Sequence, residues 1–483
     1  MSCWRVRSVT NWGRAETDML FNTIEFFIFL CVILLAFYLS PKPWRRLILL
    51  LSSYYFYMSW NPVFILLLIT LTVIDFIAGI LIETVRPSRR KLALIMSLAA
   101  NLGFLGFFKY YNLLASSVAV LLGKPGNSFF LSIVLPVGIS FHTFQSMSYV
   151  VDVYRGQQKA VRNPLDYALF IAFWPQLVAG PIVRAREFFR DLFNWNPPLE
   201  EDVHQGALLI LVGLTKKMAF ADQFAKVSDA YFRNVSAAPG MLTAWSGTIA
   251  FAMQIFFDFS GYTDIAIGCA RLLGFHFPIN FTRPYLAGNI QDFWHRWHIS
   301  LSRWLRDYLY IPLGGNRHGR VATYKNLMLT MLLGGLWHGA SWNFVIWGGY
   351  HGLLLSLGRI AREIRGDKAP KPNPWLHPPK MVITFVLVCF SWVFFRAPGF
   401  NESIFVLRQM FSRVQGTWLL GYRHLAMIVI SLVVAALEER WEVIERLTRA
   451  PRWALVTAIV ALMLWLEVFS VIDEKIPFIY FQF

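Results

Sequence analysis

Charged residues are scarce: they make up 15% of the chain, against roughly 25% in an ordinary soluble domain. That shortage excludes a water-soluble globular protein. Strand-type alternation of apolar and polar residues is also missing. This argues against a β-barrel, because long apolar runs must then satisfy their backbone groups as helices. Cysteine is rare, and Cys3, Cys31, Cys269 and Cys389 are scattered, three of them in or beside apolar runs. They form neither a disulfide framework nor a metal-ligand set and read as packing residues. No internal repeat, low-complexity tract or separate soluble domain interrupts the chain. The turn-rich Pro312–Gly319 lacks the spacing and the lysine of a phosphate-binding loop, so nucleotide hydrolysis is not suggested.

What is present is apolar: 56% of residues are hydrophobic and 17% aromatic. Stretches of about 20 residues, long enough to cross a hydrocarbon core, recur along the chain and predict a polytopic, all-α membrane protein. The net charge of +17 gathers in short loops such as Lys42-Pro-Trp-Arg-Arg46 and Arg86-Pro-Ser-Arg-Arg-Lys91. That is the positive-inside pattern, with attraction to anionic lipid, and it argues against a nucleic-acid partner.

The first span is expected from about Asn22 to Ser40. Leu47–Trp60 and Pro62–Ile82 then form a hairpin hinged at Asn61-Pro62, which brings both basic loops to the cytoplasmic face. Arg5, Arg7 and Arg14 would then lie outside, against the charge rule. This predicts Met19 as the natural start, residues 1–18 as an upstream extension, and 19–483 as a single transmembrane domain. Further spans are expected over Leu92–Phe108, Leu131–Val151, Lys380–Arg396, Leu425–Leu437 and Trp453–Ile472, and another helix over Val203–Phe220. Asp75, Lys109 and His142 read as satisfied helix-end or core polar groups. Phe173–Ile182, broken by two prolines and a glycine, reads as a re-entrant segment lining a site or as a plain loop. Phe188–Glu201 reads as an exposed loop. Asp258 and Asp264, six apart, fall on different helix faces; this disfavours a carboxylate dyad and suggests that they orient a histidine or arginine.

The chemistry concentrates between Asn289 and Gly352. From Asn326 to Gly352 there is no Asp, Glu, Lys or Arg, yet His338 stands inside this run. An ionisable group at membrane depth marks function by default, and histidine is the natural general base there. His298 lies in Asp292–Asp307, where helical spacing predicts an amphipathic helix with Trp294, Trp297, Leu301 and Trp304 along one side. Arg303 and Arg306 suit the phosphates of a bulky donor, or pairing with Asp307 and lipid headgroups. His295 and His298 are three apart, but no Cys or Glu completes a metal site. Small residues around His338 permit close approach, with Trp337 and Trp342 as walls of a narrow tunnel. His351 reads as structural. The chemistry suggested is removal of a hydroxyl proton as that oxygen attacks an activated acyl group.

Gln291–Ser302, Arg306–Gly315 and Gly335-Leu-Trp-His-Gly339 resemble motifs of the membrane-bound O-acyltransferase family. The likeness is to its bacterial branch that O-acetylates alginate and other exopolysaccharides, and it extends to Phe257–Asp264 and to the ending Phe478–Phe483. The resemblance implies a ring of helices with a central tunnel and re-entrant or interfacial helices, in the bacterial inner membrane. It matches His338 to the family's buried catalytic histidine and His298 to its second polar position. The donor it implies is cytoplasmic acetyl-CoA, with no bound cofactor. The acetyl group would pass to a periplasmic acetyltransferase partner or to the polysaccharide. Trp297, Arg303, Arg306, Trp337, Asn343 and Asp258 are the substrate-binding candidates; Trp297, Asn343 and His298 are also candidates to stabilise the oxyanion. Alternatives are another acyl group or acceptor (D-alanyl teichoic acid, a lipid, a protein) and a transporter, which would call for internal repeats and charges paired across spans.

Overall fold

The helix Phe64–Thr84 shows why this chain needs a bilayer. Leu66, Ile69, Val73, Ile77 and Leu81 follow one another at three- and four-residue spacing, and all are exposed. Its inward face carries Leu68, Leu71, Thr72, Asp75, Ala78 and Gly79. An apolar stripe turned outward while a carboxylate, Asp75, is buried reverses the pattern of a water-soluble helix, and lipid is the solvent that stabilises it. Buried Asp75 accepts from Ser97 Oγ at 2.5 Å and Asn101 Nδ2 at 2.9 Å, as expected of a satisfied core group.

The computed structural model describes residues 19–178, 180–366, 377–471 and 476–479. The extension expected over 1–18 lies outside them. Among the described residues there is no strand. Phe64–Thr84, Pro87–Leu121, His377–Arg396 and Arg452–Phe469 are long and apolar enough to cross a membrane, and Ile24–Leu39 is a shorter apolar helix. The protein is a polytopic, all-α membrane protein. Its contacts group into two compact units, one ending at Leu102 and resuming over Pro136–Val178, the other comprising Gly103–Leu135 and Ala179–Phe483.

Several local expectations are corrected. The basic clusters are not loops: Lys42 and Pro87 open helices, Lys42–Met58 and Pro87–Leu105. Cations in a first turn oppose the helix dipole by a few tenths of a kcal/mol, about 0.3 to 1, less than what the membrane-side preference supplies. Phe188–Glu201 is not a loop throughout, since Ala185–Phe193 is helical and buries Phe188, Phe189 and Leu192. The span expected over Leu131–Val151 is helical only from Ile139, after Gly138 takes a left-handed conformation. Fully buried His142 has no hydrogen-bond partner for either ring nitrogen among the described residues, so it is not the satisfied group expected.

In the second unit the 32-residue helix Met241–Leu272 packs against Glu200–Leu214, Asp222–Arg233 and His377–Arg396. Asp258 and Asp264 do leave it on separate faces, but among the described residues neither pairs with a histidine or arginine. Asp264 pairs with Lys216 at 2.5 Å, and Asp258 with fully buried Lys217 at 2.9 Å. Lys217 also holds Asp222 and donates to the Ile476 carbonyl, while Asp258 accepts the Ile479 N–H. The lysines win because they sit in the neighbouring helix turn that widens to π-type geometry over Thr215–Ala221. Gly106–Tyr110 and Arg306–Tyr310 widen likewise. Such turns are rare and gather at functional sites; all three here carry charged side chains.

Gly319–His338 and Trp342–Arg365 form a helical hairpin around the three-residue break Gly339–Ser341. The small residues do bring these helices together. A Cβ on Gly348 would run into the Met331 carbonyl oxygen, and one on Gly335 into that of Phe344. Backbone cannot yield as a flexible side chain can, so Gly348→Ala should cost about 1–3 kcal/mol. Gly358 on the same helix faces open space, and Gly358→Ala should cost nothing. Thermal unfolding of the two variants in detergent checks this; equal midpoints would contradict the close crossing.

Candidate active site

His338 is the last residue of its helix, 5% exposed, and its ring is boxed by aromatic side chains. Trp347, Trp337 and Phe395 lie with ring centroids 4.9, 5.0 and 5.2 Å away. Trp342, expected as a wall, is 60% exposed; Trp347, one and a half turns on, takes its place. A helix end leaves carbonyls without partners. Here the Leu336 carbonyl accepts from Tyr110 Oη at 2.8 Å, and those of Trp337 and His338 accept from Lys109 Nζ at 2.6 and 3.1 Å. Lys109 is thus a helix-end group, as the sequence suggests, and it fixes the backbone that carries His338. The electrostatic neighbours of the His338 ring are His298, Lys109 and His351.

His298 is completely buried, with Phe259 edge-on at 4.7 Å and Trp337 at 6.1 Å. Trp337 therefore touches both histidines. The single amphipathic helix expected over Asp292–Asp307 does not form. Ile290–Arg296 and Ile299–Leu305 are separate, and His298 between them is left-handed, with φ 43° and ψ 56°. The burial pattern nonetheless holds: Trp294, Trp297, Leu301 and Trp304 are all buried. A non-glycine residue in this conformation costs roughly 1–2 kcal/mol and persists only where surrounding bonds enforce it.

Asn280 supplies those bonds. Its backbone carbonyl accepts the Ile299 N–H at 2.9 Å. Its Oδ1 accepts from the Ser300 N–H at 3.0 Å and Ser300 Oγ at 2.9 Å, and meets His298 Nδ1 at 3.2 Å. A backbone N–H can only donate, so the amide oxygen must face this group. His298 Nδ1 then carries the ring proton and Nε2 the lone pair. In that neutral tautomer Nε2 is a hydrogen-bond acceptor and not a donor. Nothing in the sequence singled out Asn280.

The strain gives a prediction. In a helix Ala outranks Gly by about 1 kcal/mol, but at this left-handed position the order should invert. His298→Gly should unfold at a higher temperature than His298→Ala, by about 1 kcal/mol of stability. The reverse order would show that the position is not held left-handed.

The remaining candidates divide. Trp297 is buried among Phe281, Phe293 and Trp392. The Asn343 amide donates to the Ala397 carbonyl at 3.3 Å and to Ser403 Oγ at 3.1 Å, which commits it to the backbone around the site. Asp258 sits in the lysine cluster described above. His351 accepts from Trp294 Nε1 at 3.3 Å, a structural role. Arg303 and Arg306 line a cavity of about 300 Å³ together with Ile182 and Ser300; of the broken Phe173–Ile182 segment, Ile182 lines it. Burial pushes the Asp307 carboxyl up, but Arg306 and Arg184 outweigh it and hold the carboxyl below its usual range, so it stays ionised at neutral pH. Among the described residues no group of three or more His, Cys, Asp and Glu side chains is placed to hold a metal.

The chain belongs to the membrane-bound O-acyltransferase family, whose pattern matches residues 94–397, and it is an O-acyltransferase. It is similar to a probable alginate O-acetylase, AlgI, of Azotobacter vinelandii, with 42% identity over 87% of this chain and 83% of that protein. The AlgI protein of Pseudomonas aeruginosa, also described as a probable alginate O-acetylase, is 43% identical over 83% of this chain and 76% of its own length. A peptidoglycan O-acetyltransferase of Helicobacter pylori is 37% identical over 81% of this chain and 80% of its own.

Proposed function

We propose that the protein is a bacterial inner-membrane O-acetyltransferase that takes acetyl groups from cytoplasmic acetyl-CoA and delivers them for O-acetylation of an extracellular polysaccharide. The observation that carries this reading is the placement of His338: an imidazole buried in an aromatic box, on backbone pinned by Lys109 and Tyr110, inside the matched region. The similarity to an alginate O-acetylase and to a peptidoglycan O-acetyltransferase supports acetyl as the group and a polymer as the final acceptor.

In this reading neutral His338 takes the proton of an acceptor hydroxyl while its oxygen attacks the thioester carbonyl. His298 Nε2 accepts a hydrogen bond that orients that hydroxyl. The tetrahedral intermediate collapses with cleavage of the C–S bond, the imidazolium returns its proton to the departing thiolate, and the products are an O-acetyl ester and free coenzyme A. The box excludes water, which suppresses simple hydrolysis of the thioester. The acceptor hydroxyl belongs either to the polymer or to a periplasmic acetyltransferase partner.

The test uses membranes containing the protein and its polysaccharide-export partners, supplied in turn with labelled acetyl-CoA, a long-chain acyl-CoA and a carrier-bound D-alanyl thioester. Label should enter polymer from acetyl-CoA alone. Transfer from either of the other donors and not from acetyl-CoA would overturn the assignment.

A further inference from the structure

Resting on the acetyltransferase reading, we propose that Glu439 is a positioning residue for transfer, clamping from outside the turn that carries His298. Two chain segments meet at that turn. The Thr282 N–H donates to the Arg296 carbonyl and the Ile299 N–H to the Asn280 carbonyl, each at 2.9 Å. Asn280–Thr282 and Arg296–Ile299 therefore run side by side in opposite directions. Arg283 follows the first segment, Arg296 opens the second, and both reach Glu439. Arg283 Nε donates to Glu439 Oε2 at 2.6 Å. Arg296 grips the same carboxylate with both terminal nitrogens, at 3.0 and 3.1 Å. Asp292, one turn back on Ile290–Arg296, holds Arg296 Nε at 2.9 Å. One carboxylate thus ties both flanks of the turn to the helix Tyr422–Trp441, which lies beyond the matched region.

Local preference opposes this arrangement, so tertiary contacts must hold it. Glu438 and Glu439 sit in the last turn of their helix, where the dipole disfavours anions. Among the described residues, the non-glycine residues with left-handed backbone are Arg283, His298 and Glu442, at φ 51°, 43° and 47°. Arg283 borders the first segment, His298 lies in the second, and Glu442 ends the helix that carries Glu439. There Glu438 accepts the Ile444 N–H at 3.2 Å. Strained backbone persists where its surroundings over-determine it, and it gathers at functional sites. All three strained residues belong to one network, whose inner end is the contact between Asn280 Oδ1 and His298 Nδ1. The Glu439 side chain is 40% exposed, so a single pair there would hold little. A carboxylate shared by two guanidiniums, one of them bidentate, adds direction to the attraction. What it supplies is the register of Asn280 against His298, and so the direction of the His298 ring; it brings no reacting group.

The test pairs a rate with a probe that needs no turnover. Glu439→Gln keeps the shape and removes the charge. It should lower acetyl transfer about three- to tenfold in the wild-type background. In the His298→Ala background it should lower the remaining transfer no further, because the clamp acts through His298. On the purified full chain, carbethoxylation of His298 by diethyl pyrocarbonate is followed by peptide mass spectrometry. His298 is completely buried, so its modification reports local opening of the turn. Glu439→Gln should speed it about three- to tenfold, and Glu439→Asp should restore part of both readouts. Glu200→Gln, which breaks the exposed pair with Arg452, is the control and should change neither. Unchanged transfer and unchanged His298 modification in Glu439→Gln overturn the clamp and leave the acetyltransferase reading standing. Equal falls in transfer in both backgrounds place the effect of Glu439 elsewhere and also overturn it. A wild-type chain that transfers no acetyl, with His298 modification still faster in Glu439→Gln, overturns the acetyltransferase reading and keeps the clamp.

Discussion

His338→Ala should lower acetyl transfer by about 10²- to 10⁴-fold, the span that a positioned general base supplies, while the protein remains folded. The ring sits at a helix terminus whose carbonyls are held by Lys109 and Tyr110, so removing the imidazole leaves those bonds intact. The cost to stability includes the lost aromatic contacts with Trp347, Trp337 and Phe395. His298→Ala should retain more activity than His338→Ala, because in the proposed mechanism His298 orients a hydroxyl without taking its proton. Initial rates with labelled acetyl-CoA, read beside size-exclusion profiles, decide the order. Full activity of a folded His338→Ala protein would remove the base from the mechanism.

Asn280→Ala should be nearly as damaging, though Asn280 touches no reacting atom. One side chain satisfies the Ser300 N–H, Ser300 Oγ and His298 Nδ1. Removing it leaves a buried backbone donor without its acceptor, worth about 1–3 kcal/mol. It also frees His298 to relax from its left-handed conformation. Transfer should fall about tenfold to a hundredfold, roughly the 1.4–2.8 kcal/mol of lost positioning, and the thermal midpoint should fall with it. Asn280→Asp keeps an acceptor oxygen and should rescue part of the rate despite burying a carboxylate. A readout that separates positioning from mere destabilisation is the ratio of the two losses. If His298→Gly, which cannot be strained, made Asn280→Ala harmless to stability, the strain would be located at His298. If Asn280→Ala lowered neither rate nor midpoint, the hydrogen-bond hub would have no role.

How much of this was legible depended on whether a residue's role is set locally. His338 and His298 stand out because bilayer chemistry alone makes them expensive; no partner need be known. The apolar run that becomes Phe64–Thr84 is legible from composition, and so is the close approach at Gly335, because small residues flank His338 on both sides. The left-handed turn at His298 did not show, because the bonds that enforce it come from Asn280 in a preceding loop without periodicity. Asp258 was recognised as a polar group in need of a partner, but a partner on a wide helical turn cannot be read from spacing that assumes regular helices. The sequence points to Trp342 as a wall; after the break at Gly339–Ser341 Trp342 is exposed and Trp347 packs on His338 instead. Arg184 and Arg186, which follow Gly180-Pro181, carry no pattern that sets them apart from an ordinary membrane-flanking loop.

The most direct test of the central claim uses sealed inside-out membrane vesicles with acceptor polysaccharide inside and labelled acetyl-CoA outside. The account predicts label in the enclosed polymer with the wild-type chain, and none above background with His338→Ala at equal protein level. Equal labelling by both, or labelling only after the vesicles are broken, would contradict a buried histidine that joins a donor on one side to an acceptor on the other.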